Sequence, residues 1–253
     1  MFDLCLQVLI LSDMNGDRIG RFEVCVVATL LSLSMISQSV AAATSATPCP
    51  IPLKKGTQWV YEGTVKWTVL NSAKVKSARI RWVTEVVESV VGTNGLAGVV
   101  RGFPDELAWY EPGQSPSYCV FLHSGNKVYR LQADGENHAK TLAQQVSGNP
   151  EAIFENAEEF LELPLVVGRK WGQDPVREDS WYCWCVERLR AKAELTKGVD
   201  PVHPLKVFRL AYRTCPSHQI FDIAPGLGVV RYLFDHHGTV ASANMRLVRF
   251  SQL

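Results

Sequence analysis

The 253-residue chain predicts a mainly β fold: a curved antiparallel sheet or half-barrel of about nine strands with one packed helix. Three observations support this fold class. Several runs of alternating apolar and polar residues are typical of half-buried strands. A single segment carries the start and stop signals of a helix. Hydrophobic residues make up 47% of the chain and charged residues 20%, which is enough apolar material for a buried core.

Residues 1–43 differ from the rest of the chain and are predicted to be a signal peptide. Arg18 and Arg21 precede an apolar run at 22–36, and small residues follow at 40–43. A basic flank, a short apolar run and a small-residue exit are typical of signal peptides. The run is shorter than the roughly 20 apolar residues of a membrane span, so no stable span is expected after cleavage.

The chain that follows is predicted to be one domain of an exported protein, periplasmic or extracellular. Met14 is an alternative start, because an apolar segment before the basic flank is unusual in signal peptides. Residues 44–50 are predicted to be a mobile leader, and 51–253 a single antiparallel β domain. A motif that occurs twice divides this domain into two halves, 51–148 and 163–253, which in one interpretation are related.

The first strands are predicted to be long and paired. Apolar and polar residues alternate over 59–69, as in a strand with one buried face. A second run rich in Val, Ile, Trp and Thr spans 74–91, and a turn between the two predicts a hairpin. A shorter strand at 96–101 and a hairpin at 118–132 follow. Residues 133–148 are polar and predict no element.

The helix is predicted at about residues 150–161. Asn149 is a good N-cap, Pro150 suits the first helical position, and Glu151 suits the helix N-terminus. Apolar residues then recur at helical spacing, and Pro164 ends the segment. Alternating strands resume beyond it, at 180–189, 205–212, 221–239 and 240–250.

The motif PLxxGxxW occurs twice, starting at Pro52 and again at Pro164. Its proline favours an extended approach, its glycine permits a tight bend, and its tryptophan anchors the next strand in the core. The recurrence predicts two related meanders on either side of the helix. Chance recurrence is the alternative, because the flanking residues do not clearly repeat.

A second motif, APGxGxVxY over 224–232, is followed by His-His-Gly-Thr at 236–239. Together with PLxxGxxW, these motifs resemble those of a group of uncharacterised exported bacterial β-domain proteins. That group is more distantly similar to the lipoprotein-carrier (LolA/LolB-type) fold, in which a long curved antiparallel sheet wraps around a helix. The resemblance implies export and a curved sheet, and it implies no catalytic residues.

Asp235, His236 and His237 end a predicted strand and are candidate metal ligands or acid–base residues. Adjacent histidines on a strand point to opposite faces, so Asp235 and His237 would share a side and need a third ligand from elsewhere. The alternative is a polar strand end that closes a hairpin. The chain has no G-x-S-x-G, H-E-x-x-H, phosphate-loop or calcium-loop motif, so no catalytic residue and no cofactor is predicted.

Cys119, Cys183, Cys185 and Cys215 are the candidates for disulfides. With Cys49 they are the five cysteines beyond the signal peptide, and disulfides persist in oxidising compartments. Cys183 and Cys185 would bond to Cys119 or Cys215 on neighbouring strands, because a bridge between residues i and i+2 of one strand is strained. A four-sulfur metal site and reduced buried thiols are the alternatives.

Aromatic residues are the remaining functional lead. On a curved sheet, an aromatic concave face would hold an apolar ligand. The candidate ligand-binding residues are Trp67, Trp82, Tyr212, Tyr232 and Phe234. The alternative is an ordinary core in which the helix fills the concavity.

The sequence therefore predicts an exported, non-enzymatic protein that binds an apolar or lipid-like ligand or an envelope protein. One alternative is a metal-dependent or hydrolytic enzyme that uses the Asp235 to His237 region. Another is a purely structural or interaction module. The net charge of +1 argues against a nucleic-acid partner, since such proteins neutralise phosphates with many basic residues.

Overall fold

The computed structural model describes residues 48–69, 72–149, 157–172, 179–190 and 205–252. The predicted signal peptide at 1–43 lies outside these residues. The described chain forms twelve strands, one α-helix and one 3-10 helix, so the predicted curved antiparallel β fold is confirmed with twelve strands instead of nine. The strands are β1 (Gln58–Thr68), β2 (Val75–Gly92), β3 (Gly95–Arg101), β4 (Tyr118–Ser124), β5 (Lys127–Ala133), β6 (Glu158–Glu162), β7 (Lys170–Trp171), β8 (Trp184–Arg190), β9 (Val207–Arg213), β10 (Ser217–Ala224), β11 (Gly228–His236) and β12 (Ala241–Ser251).

The strands form one sheet in the order β6-β5-β4-β3-β2-β1-β12-β11-β10-β9-β8-β7, and all neighbours pair antiparallel. Each half of the chain is thus a six-stranded meander, and the β1–β12 pair joins the two. Side chains connect the two edges. Trp171 Nε1 donates to Glu159 O at 3.0 Å, and Trp184 Nε1 donates to Glu158 Oε1 at 3.1 Å. The sheet is therefore nearly closed.

The two PLxxGxxW motifs have the same local geometry. Gly56 and Gly168 both have a left-handed backbone, with φ of 81° and 88°, which favours glycine. Gly56 N donates to Val86 O and Gly168 N to Val186 O, each at 2.8 Å. The accepting strands are irregular at these points, between Val86 and Glu88 in β2 and between Val186 and Arg188 in β8. In each copy, the glycine before the first strand of the meander therefore hydrogen-bonds to the next strand at the point where the register of that strand shifts.

The predicted helix is wrong in position. The α-helix, α1, spans Gly135–Gly148, within the segment for which the sequence predicts no element. Residues 158–162 are strand β6, and 150–156 lie outside the described residues. Phe160 and Leu161 are consecutive, fully buried and part of the same inner core, because the β5–β6 register skips Phe160 in a β-bulge. Pairing with β5 therefore overrides the local helix signals.

Helix α1 also packs on the opposite face of the sheet from the one expected. Ala139, Ala143 and Val146 are buried against outward-facing residues of β3, β4 and β5, namely Ala97, Val99, Val120, Leu122 and Leu131. The side chains that alternate with these residues, such as Phe121, face the inner core. Ala139, Leu142, Ala143 and Val146 recur at helical spacing on this face, so the helix has an apolar stripe that is made mostly of small residues.

The inner face is filled with aromatic side chains. Phe103, Phe121, Phe160, Phe221 and Tyr232 are all buried there, and their ring centroids lie as close as 4.8 Å, between Phe103 and Phe121. The space left between Tyr61, Phe103 and Phe121 is about 10 Å³, which is room for about one water molecule. This part of the interior therefore holds no lipid-sized cavity.

A 3-10 helix, Pro104–Trp109, crosses the inner face in place of the expected α-helix. Leu107 is fully buried, and Tyr232 Oη donates to Asp105 O at 3.4 Å. The Arg130 guanidinium on β5 pairs with the carboxylates of Asp105 and Glu158. It also lies 5.7 Å from the centre of the Phe160 ring, a cation–π distance. This buried ion cluster ties the 3-10 helix to β5 and to the edge strand β6.

The opening and closing motifs of the domain contact each other. Gly226 N donates to Pro50 O at 3.1 Å. Trp59 Nε1 donates to Leu227 O at 2.6 Å, and Tyr61 Oη donates to Val229 O at 2.8 Å. The APGxGxVxY turn thus supplies the acceptors that the two buried aromatic residues of β1 need.

Candidate functional site

An open groove of about 650 Å³ lies beside the end of the β1–β2 pair, and we call it the aromatic groove. Its apolar lining comes from the end of β1 and the residue after it, from the end of the 3-10 helix and the chain that follows, and from β12. The apolar residues are Trp67, Val69, Trp109, Tyr110, Pro112 and Ala241. Polar residues, among them Lys76, Glu111 and Thr239, line the rest. The groove is therefore amphipathic, with an aromatic wall and both signs of charge.

The fold places three aromatic rings at this groove. Trp67 and Lys76 are register partners on β1 and β2, so their side chains lie on one face. The Trp67 and Tyr110 rings meet edge to face at 5.4 Å. Trp109 ends the 3-10 helix that buried Leu107 anchors. It is 56% exposed, an unusual state for tryptophan unless a partner covers it.

Two side chains near the end of β11 pack against the Trp109 ring. The Trp109 ring lies 5.4 Å from the Phe234 ring and 4.7 Å from the His236 ring. These contacts hold the indole in place while it stays exposed. His236 is therefore a neighbour of the groove, and its Nδ1 is buried with no hydrogen-bond partner among the described residues.

The structure does not bring the five predicted ligand-binding residues into one site. Trp67 lines the groove, and Phe234 contacts it through Trp109. Trp82 is buried and donates through Nε1 to Gly102 O at 2.9 Å. Tyr232 is fully buried, and burial raises its pKa above the ordinary value of 10.0. Tyr212 packs on Trp184, far along the sheet from β1.

Sequence reasoning missed Trp109 and Tyr110, because they lie between the predicted strand at 96–101 and the predicted hairpin at 118–132, where no strand or helix is predicted. A usable signal was present. Two adjacent aromatic residues followed by Glu111 and Pro112 cannot all be buried by a short loop. Exposed aromatic residues in a loop of a packed domain indicate a binding surface.

Asp235, His236 and His237 do not form one cluster. His237 Nδ1 lies 3.8 Å from Asp235 Oδ2, with side-chain exposures of 55% and 60%. The His218 ring on β10 is 5.2 Å from the His237 ring, whereas His236 turns to Trp109. Within the ranges that the structure describes, no three His, Cys, Asp or Glu side chains are placed to hold a metal ion.

The expected disulfides are not present. No bridge joins Cys119, Cys183, Cys185 and Cys215 in the described chain. Cys119 belongs to the inner core, whereas Cys185 alternates with the inward-facing Trp184 and Val186 and so lies on the outer face. The neighbours of β4 are β3 and β5, so Cys119 does not adjoin β8. A bridge between Cys119 and Cys185 would have to cross the sheet.

The cysteine thiols are expected to differ in reactivity, because their environments differ. Burial raises the pKa of the Cys119 thiol above its ordinary value of 9.0 and that of the Cys49 thiol to about 12. Cys215 is exposed, and the Tyr182 hydroxyl lies 3.2 Å from its sulfur. Since the thiolate is the reactive form, Cys119 and Cys49 are expected to be inert.

In the part of the chain that the structure covers, no helix has the length and apolar character needed to cross a membrane.

Comparison with known proteins shows distant similarity only. No family model and no curated protein matches the chain. A protein of Bacteroides fragilis NCTC 9343, inferred to be exported and with a YmcC-like fold, is 11% identical, with a TM-score of 0.39 over 80% of this chain and 98% of that one. A protein of Parabacteroides distasonis ATCC 8503, inferred to be a lipoprotein, is 12% identical, with a TM-score of 0.36 over 80% and 98%. Neither similarity is high enough to carry a functional argument.

Proposed function

We propose that this is an exported protein, periplasmic or extracellular, which binds an apolar, lipid-like small molecule in the aromatic groove and catalyses no reaction. One observation carries the proposal: a groove of about 650 Å³ is lined by Trp67, Trp109 and Tyr110, and one of these rings is largely exposed. Ligand sites have volumes of roughly 300–1,000 Å³ and are mostly apolar with a few placed polar groups.

The groove matches a molecule with an apolar body and a polar end. A ligand that covers about 200 Å² of apolar surface on these rings would gain about 5 kcal/mol before the cost of ordering it. Lys76 and Glu111 lie in the same lining. The Lys76 ammonium would favour a carboxylate or phosphate end group.

The position of the groove distinguishes the proposed protein from a carrier that encloses its ligand within the sheet. The aromatic side chains of the inner face, Phe103, Phe121 and Phe160 among them, already fill the space within the sheet next to the 3-10 helix. The ligand would therefore bind at the end of the β1–β2 pair. Export is supported by the predicted signal peptide at 1–43.

Equilibrium binding of palmitate and of its neutral analogue hexadecanol to the purified protein tests the proposal, with tryptophan fluorescence and calorimetry as readouts. Trp109→Ala is expected to weaken binding about tenfold or more, because it removes an aromatic wall of the groove. Lys76→Gln is expected to weaken palmitate binding and leave hexadecanol binding unchanged.

Val91→Ala is the matched control, since Val91 is 82% exposed and lies beyond the groove at the far end of β2. It should bind as the unmodified protein does. Saturable binding that Trp109→Ala leaves intact would place the ligand elsewhere and refute the proposal. Failure of palmitate, hexadecanol and a lysophospholipid to bind would refute it as well.

A further inference from the structure

Strand register aligns charged residues in one row across the outer face of the sheet. Consecutive register partners on β2, β1, β12, β11, β10, β9 and β8 are Arg81, Glu62, Arg246, Arg231, Asp222, Arg209 and Arg188. We call this set the arginine row. With strands about 4.8 Å apart, it extends over about 29 Å. Its members face outward, because residues on either side of them in the chain, such as Met245 and Leu247, belong to the inner core.

The row places like charges directly opposite each other. Arg231 is the register partner of Arg246, and Arg209 is that of Arg188. Like charges in directly opposed positions destabilise a sheet. Asp222 forms an ion pair with one of these four arginines, since Arg209 Nε and Nη2 donate to its two carboxylate oxygens at 2.7 and 2.8 Å. Asp222 is also the register partner of Arg231 and attracts it without forming an ion pair.

Arg231 and Arg246 have no carboxylate partner among the described residues. The Arg231 guanidinium donates to Asn244 Oδ1 at 3.2 Å, a neutral acceptor. Burial and the positive charge of Arg246 lower the pKa of Arg231 below its ordinary value. Glu62 lies opposite Arg246 in register, yet its carboxylate makes its ion pair with Arg79 Nη2 at 3.8 Å.

A shallow hollow of about 270 Å³ lies beside Arg246, on the side of β12 that faces β1 and β2. Its lining includes Arg79, Arg246, Asn244, Thr64 and Glu62. It therefore combines two guanidinium groups with an amide and a hydroxyl. One carboxylate, that of Glu62, opposes an anion there. Arginine presents a planar fork of donors that matches the oxygens of a phosphate group.

We propose that Arg246 and Arg79, with Asn244, bind a phosphate group in this hollow, either as the free ion or as part of an anionic lipid headgroup. Arg231, the register partner of Arg246, contributes its positive charge from the neighbouring strand. The negative charge of a phosphate beside Arg246 would reduce the repulsion that the register imposes on the two arginines. This site is on the outer face, whereas Trp67 of the aromatic groove lies on the inner face of β1. The proposal is therefore independent of the proposed function.

Two binding measurements on the purified protein distinguish the sources of the phosphate. Calorimetric titration with inorganic phosphate tests the free ion. Sedimentation with phosphatidylcholine vesicles, with and without about 30% phosphatidylglycerol, tests the headgroup. Binding of phosphate identifies the free ion as a ligand, and binding of anionic vesicles alone identifies the headgroup.

Substitutions of the site residues test whether the anion binds at this site. Arg246→Gln and Arg79→Gln are each expected to weaken binding about tenfold, since each removes charge-assisted hydrogen bonds to the anion. Glu62→Gln is expected to strengthen binding, because it removes the one carboxylate near the anion. The ligand-free Arg246→Gln protein is expected to keep or raise its Tm.

Arg249→Gln is the matched control, because Arg249 is exposed on the same strand and the substitution removes the same charge. Arg249 Nη2 donates to Gln58 Oε1 at 3.3 Å. Its binding should be nearly unchanged. Equal losses in Arg249→Gln and Arg246→Gln would show a non-specific charge effect and overturn the proposal. Absence of binding to both phosphate and anionic vesicles would overturn it too.

Discussion

Arginines occupy two opposite electrostatic situations in this sheet. On the inner face, Arg130 is paired with the carboxylates of Asp105 and Glu158, and its side chain is 11% exposed. On the outer face, Arg231 and Arg246 are register partners with no carboxylate between them. A buried charge is tolerated only when it is paired, whereas solvent screens an exposed one. The inner cluster therefore stabilises the fold, and the outer pair is the one for which we propose an anionic ligand.

The largest effect is expected when the inner cluster is broken. Arg130→Met should lower the free energy of unfolding by about 3–5 kcal/mol, because it leaves the Asp105 carboxylate buried and unpaired. Urea denaturation measures the loss. Lys127→Met, on the same strand, removes the more exposed ion pair with Glu159 and should cost about 1 kcal/mol or less. Equal losses of unfolding free energy in the two variants would contradict the expectation that the buried Arg130 cluster contributes more than the exposed Lys127–Glu159 pair.

The inner face should also be sensitive where the two motifs meet. Gly228 has a φ of 85°, and a Cβ there would lie 3.3 Å from Trp59 Nε1. Gly228→Ala is expected to cost about 2 kcal/mol, from the left-handed backbone and from displacement of the indole. Gly113→Ala shares the positive φ but meets nothing within 4 Å, so it should cost less. If thermal unfolding shows the same loss for both, the contact with Trp59 has no energetic role.

On the outer face, removal of an arginine is expected to stabilise the protein slightly. Arg231→Gln should raise the free energy of unfolding by about 0.2–1 kcal/mol, because it ends the repulsion with Arg246. Urea denaturation at low salt measures the gain, which should shrink as salt is added. A loss of stability at low salt would mean that the hydrogen bond to Asn244 outweighs the repulsion.

The smallest effect is expected from pH. The pKa of His218 is lowered below its ordinary value of 6.5 because burial disfavours the imidazolium, and Arg213 and His237 repel it. The unfolded chain therefore takes up this proton first. The contribution of His218 is complete above about pH 6.5 and is lost as the pH falls towards the depressed pKa.

Measurement of Tm between about pH 7.5 and 5.5 checks this prediction, since that window brackets the unfolded pKa. His218→Gln should reduce the fall in Tm on acidification. Part of the fall should remain, because burial also lowers the pKa of His123. An unchanged pH profile in His218→Gln would assign the whole effect to other groups.

Strands with strict alternation were predictable, and the segment with competing signals was not. Residues 58–68 form β1 because one face of the alternation is buried. Around residue 160, capping signals predict a helix, but the segment pairs with β5 as a strand. A bulge at Phe160 directs both Phe160 and Leu161 to the inner core. In α1 the reverse holds. Its apolar residues, Ala139, Leu142, Ala143 and Val146, do have helical spacing, but they are mostly small and lie among polar residues, so the polar composition of the segment hid them.

The candidate sites also contain residues that were predictable from the sequence and residues that were not. Trp67 was predicted from its place on an alternating strand, and it does line the aromatic groove. Trp109 and Tyr110 were not predicted, because only the packing of Leu107 and Phe234 decides where the 3-10 helix ends. The arginine row left no signal along the chain, since its seven members come from seven different strands.

The sequence by itself determined the mainly β class, the hairpins and the two motifs whose glycines and tryptophans begin the meanders. These features depend on local backbone preferences and on period-two alternation, which are properties of short segments. Tertiary structure alone decided the twelve-stranded order, the filled interior and the two proposed sites. The reason is register: Glu62 and Arg246 meet because β1 pairs with β12, and a shift of one residue would send every side chain of a strand to the other face.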